Sequence, residues 1–215
     1  MNVPRPAGEP WRLRDVAAKL DERAGLPGAF VFDRAASASR NAKEAGVSIE
    51  DRLALALPAS WLVNSPAISR VLRRWSVDPQ REVWLALVEE LEAGAAGPTE
   101  GADRDQEIML AVHALGSEPY IIEAVSKVLA ILVPDVVPLM PPPARVFVLG
   151  EEKAADLTSF IAMIDWFTDA SATHAEELAA LARAHTAAPL SGAQVLDRML
   201  WFDSEGHTHF AAKQP

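Results

Sequence analysis

Few residues have both the type and the spacing to do chemistry. Arg70, Arg73 and Arg74 stand at i, i+3 and i+4 and would share one face of a helix, with Arg81 close behind. Guanidinium groups so grouped could hold phosphates. They could equally lie in water and pair with the acidic residues of 82–92, and a chain of net charge −10 favours that second reading. His207 and His209 flank Thr208, which sets both imidazoles on one side of an extended strand, and Asp203 or Glu205 could add an oxygen ligand. A metal site needs its ligands, and the groups that orient them, on rigid elements. This stretch reads as a polar tail, so no metal and no cofactor is assigned. Asp165 and Asp169 put two carboxylates on one helical face, where such pairs more often meet solvent than substrate. Ser126 and Lys127 are adjacent and point in different directions on a helix, which weakens a Ser/Lys dyad. His113 follows the core position Val112 and reads as an interfacial histidine.

Composition narrows the classes. The chain has 215 residues and half are apolar, enough for one sizeable core or two small lobes. There is no cysteine, so disulfides, thiolate metal sites and a cysteine nucleophile are excluded. That fits a reducing cytoplasm. The first residues contain no apolar segment of the kind that directs secretion. The longest apolar run, 128–140, is broken by Pro134, Asp135 and Pro138, so no membrane span is expected. The acidic balance also weighs against nucleic acid, whose binding depends on Lys and Arg neutralising phosphates.

The elements that must position these residues are organised around 115–148, LGSEPYIIEAVSKVLAILVPDVVPLMPPPARVFV. Ile122, Val125, Leu129 and Leu132 recur at helical spacing, and Ile121, Val128 and Ile131 add a second apolar face, which predicts a buried central helix. Pro134 should stop it. Pro141, Pro142 and Pro143 read as a stiff extended crossover, with 145–149 as a short strand or connector and Gly150 closing it. Upstream, 11–24 predicts a helix, 29–32 a short extended piece, and the Ala- and Ser-rich 34–45 at best a weak helix. Ser48 with Asp51 resembles a capping box opening a helix that Pro58 ends. Ser65-Pro66 and Asp78-Pro79 read as helix starts. Residues 93–104, AGAAGPTEGADR, form the clearest hinge. A helix at 105–115 presents Ile108, Met109, Val112 and Leu115. After the prolines, a strong helix covers 151–170, Thr173 with Glu176 opens an alanine-rich one, and Ser191 caps the last.

Leu115-Gly116-Ser117-Glu118-Pro119-Tyr120, the apolar helix after it, then Pro138 and Arg145-Val146, resemble the second half of the helix-hairpin-helix motif of DNA glycosylases. Ser126-Lys127-Val128-Leu129, Pro134-Asp135-Val136-Val137-Pro138, Val195-Leu196-Asp197 and Leu200-Trp201 are similar to the pattern of an uncharacterised bacterial helical family. The glycosylase resemblance implies a helical fold in which a glycine hairpin binds DNA phosphate through backbone N–H groups and an Asp after the next helix is catalytic. Two positions depart from it. Glu118 stands where the hairpin has its second glycine, and its carboxylate would repel phosphate. Pro141 stands where the acid belongs, and Asp135 comes early.

The expected object is therefore an all-α, mostly helical globule of about nine helices with at most a short minor sheet. Residues 1–10 and 205–215 are tails, and 11–204 form one helical domain that could be two lobes hinged at 93–104. The function expected is a non-catalytic binding or interaction module with a protein partner or a second copy; the six tryptophans leave aromatic surface for one. The alternative is a glycosylase-like enzyme with a displaced acid, whose nucleic-acid-binding residues would be Arg70, Arg73, Arg74, Gly116, Lys127, Asp135 and Arg145.

Overall fold

The structure, a computed structural model, describes residues 2–3, 11–24, 27–61, 66–75, 80–94, 102–154, 156–184 and 190–204. In chain order come β1 (Asn2–Val3), β2 (Trp11–Arg12), α1 (Leu13–Ala24), α2 (Pro27–Glu44), α3 (Ile49–Trp61), α4 (Pro66–Arg74), α5 (Gln80–Gly94) and α6 (Ala102–Leu115). Then follow α7 (Ile121–Leu132), α8 (Pro142–Leu149), α9 (Glu151–Ala154), α10 (Thr158–Thr173), α11 (Ala175–Ala184) and α12 (Gly192–Asp203). The described residues are all-α, but nine helices was too few: among them eleven helices have eight or more residues, and α9 is a single turn. The one strand pairing among the described residues is β1 with β2, Asn2 opposite Arg12 and Val3 opposite Trp11.

The expected central helix is α7. Eleven of its twelve residues are buried, and α2, α3, α4 and α6 pack on it. Its apolar residues have no polar face to turn to water, so other helices must cover it on every side. It ends before Val133, which precedes Pro134 and whose backbone (φ −130°, ψ 58°) has left the α region that a following proline disfavours. The crossover 133–141 is buried apart from Asp135. A buried irregular segment must find partners for its backbone N–H groups. Pro134, Pro138 and Pro141 have none to satisfy; Leu139 N donates to Asp197 Oδ1 at 2.8 Å and Met140 N to Ser126 Oγ at 3.0 Å.

Five expectations about helix starts, stops and extended pieces are corrected. Pro141 is the N-cap of α8, with Pro142 and Pro143 in its first turn. First-turn N–H groups have no partner inside a helix, so proline gives up nothing there. The triple proline thus starts a helix, and 145–149, expected to be strand or connector, is the body of it. Likewise 29–32 is not extended; it lies in α2, which Pro27 opens. The Ala- and Ser-rich 34–45 continues that same helix to Glu44, burying Ala36, Ser37 and Ser39 below Phe32 and Asp33. A stripe of such small residues is as buried as one of leucines but has little apolar signal. Finally, Pro58 lies inside α3, which runs on to Trp61. Burial of Leu53, Ala56, Leu57 and Ser60 on one face holds the helix through the missing hydrogen bond.

The caps agree in part. Asp51 N donates to Ser48 Oγ at 3.1 Å, and Ser191 with Gln194 forms a complete capping box on α12. Thr173, expected to open a helix, is the last residue of α10, and the break falls at His174. Residues 62–65 and 76–79, which include the expected caps Ser65 and Asp78, lie outside the described residues, as do 95–101 of the expected hinge. The helices on either side of that segment, α5 and α6, pack against each other. Two apolar clusters result. The larger surrounds α7. The smaller joins Val16 and Leu20 of α1 to Phe167, Leu178, Leu181, Val195, Leu196 and Met199, so the first helix packs on the last two. No helix among the described residues is long and apolar enough to cross a membrane.

Candidate functional site

The turn after α6 carries the first group of expected site residues. Ile108, Val112 and Leu115 bury one face of α6, and Gly116 N closes the helix on His113 O at 3.1 Å. Trp75, wholly buried at the end of α4, donates its indole N–H to Leu115 O at 2.6 Å. Beside it, Arg74 Nη2 donates to Glu118 Oε1 at 2.8 Å. A Cβ on Gly116 would stand 2.1 Å from Glu118 Oε2 and 3.3 Å from Arg74 Nη2. The close approach that glycine permits here is to a carboxylate of the chain itself. Burial pushes the Glu118 carboxyl up, but the hydrogen bond and charge of Arg74 and two backbone N–H groups outweigh that and hold it below its ordinary value. Arg70 and Arg73 are exposed on α4, as their shared spacing predicts.

The rest of the expected residues are dispersed and engaged. Lys127 is buried on α7, its ammonium 2.7 Å from Glu123. Ser126 turns elsewhere, donating to Glu123 O at 3.1 Å and accepting from Met140 N, so the two neighbours act apart. Arg145 is buried on α8 and donates to Ala154 O at 2.6 Å and Ser159 Oγ at 3.2 Å. Burial lowers its pKa, and the nearby charge of Glu123 works the other way. Asp135 is the exposed residue of the crossover and accepts a hydrogen bond from Ser191 Oγ. Asp165 and Asp169 are exposed on α10. Burial, and then the charge of Asp105 on α6, raise the Asp165 pKa against the opposing charge of Arg104. His113 is exposed on α6. Among the described residues no three His, Asp or Glu side chains stand close enough to hold a metal ion, and His207 and His209 lie outside them.

A buried ionic group went unseen in the sequence. Arg198 on α12 is fully buried, donates from Nε to Asp33 Oδ1 of α2 at 2.7 Å, and pairs with its neighbour Asp197. Its guanidinium lies over the Phe32 ring, 5.4 Å from the centroid. Burial would lower the Arg198 pKa, but Asp33 and Asp197 outweigh it and hold the charge in place. Because Asp197 also accepts from Leu139 N, this group ties α2, α12 and the crossover together. Arg52 does similar work on α3, donating to Leu132 O at 3.2 Å and to Glu92 at 3.0 Å. Pairing Asp33 with Arg198, 165 positions later, leaves no local pattern to read.

Among the described residues a cleft opens on the surface of α3, beside Trp75 and Arg81. Its volume is about 240 Å³, and Leu53, Ala54, Leu57 and Pro58 of α3, with Trp75, line it. Glu50 and Arg81 meet in an ion pair at its edge. Of these residues only Arg81 stood in a group that could hold phosphates. Pro58 read as a helix stop, and only the packing of the helices brings them together. No protein-family model, curated protein or solved structure matches the chain.

Proposed function

We propose that the chain is a non-catalytic helical interaction module that binds a protein partner or a second copy of itself, on a helical plan derived from or convergent with that of the glycosylase-like proteins. What supports this reading is where the polar side chains needed by an enzyme are spent. Arg74 is spent on Glu118, Lys127 on Glu123, Arg145 on Ala154 O and Ser159, and Asp135 is bonded by Ser191. A catalytic group must be held within reach of a substrate atom, and these are dispersed over α4, the crossover, α7 and α8. The net charge of −10 adds a repulsive field toward phosphates. A cytoplasmic site of action fits the absence of cysteine. Incubation of the purified protein with duplex DNA carrying modified bases tests the reading. No base release is the expected result, and robust turnover would overturn it.

A further inference from the structure

We draw no further inference here: the strongest candidate, the side-chain cluster in which buried Arg145 of α8 leaves its Nε without a hydrogen-bond partner among the described residues and reaches Ser159 in the first turn of α10, has a counter-charge in Glu123 of α7 and a helix start already capped by Asp156, so nothing there points to a ligand.

Discussion

Arg198 shows what single residues do in this chain. It is a fully buried cation between two buried carboxylates, and removing it would take from Asp33 and Asp197 the charge that pairs with both. Breaking a buried pair from one side typically costs about 3–5 kcal/mol, so Arg198→Ala should lose that much in urea unfolding. Leu129, wholly buried at the middle of α7, makes the apolar comparison. Leu129→Ala should leave a cavity and cost about 2–5 kcal/mol; an unchanged melting temperature would mean that α7 is not the core. Two carboxylates should respond to pH in opposite senses. The Glu118 pKa is held down, so its contribution is present above the ordinary glutamate range and lost as pH falls through its lowered value. The Asp165 pKa is raised, so its ionised form disfavours the fold, and stability is gained as pH falls through the raised value. Glu118→Gln should therefore flatten the acid-side loss of stability, and Asp165→Asn should raise the neutral-pH melting temperature. Leu129 was legible because apolar spacing is a local signal. Arg198 was not, because its partner Asp33 lies on another helix far back in the chain.

Proline decides most at the scale of elements. Pro134 ends α7 and Pro27 and Pro142 open helices, whereas Pro58 is carried through the middle of α3. The same residue stops, starts or survives according to the position it falls on, and position depends on tertiary packing. That is why a run of three prolines, read from the sequence as a stiff extended crossover, proved to be the beginning of a helix. α2 was obscured for a related reason: its buried stripe is partly alanine and serine, which pack closely without apolar periodicity. Pro141→Asp tests this account of α8. The backbone at Pro141 (φ −62°, ψ 154°) is one that aspartate adopts freely, but Pro142 and Pro143 carry no N–H for its carboxylate, and Ala144 N already donates to Pro141 O at 3.0 Å. Pro141 is buried, so the carboxylate loses its hydration with no full cap to offset the loss. The variant should be less stable than the parent by about 1–3 kcal/mol, and the same preparation should release no base from modified DNA.

In the whole molecule the helices close on themselves. α1 packs on α11 and α12, Lys19 meets Asp203, and α12 passes from the smaller apolar cluster into the larger through Leu200, Trp201 and Phe202. The all-α class and the central place of 115–148 were legible in the sequence, because helix periodicity and proline punctuation are written along the chain. The cleft was not, since it exists only where α3 comes beside Trp75 and Arg81. Residues 93–104 remain the expected weak point, and limited proteolysis should cut there before any helix is cleaved. The central claim is that the polar groups of this chain hold the chain together and act on no nucleic acid. Binding of the purified 215-residue chain to duplex DNA, measured as salt is varied, tests it most directly, because phosphate contacts give a steep salt dependence. The account predicts no binding even at low salt; tight binding that weakens steeply with added salt would contradict it.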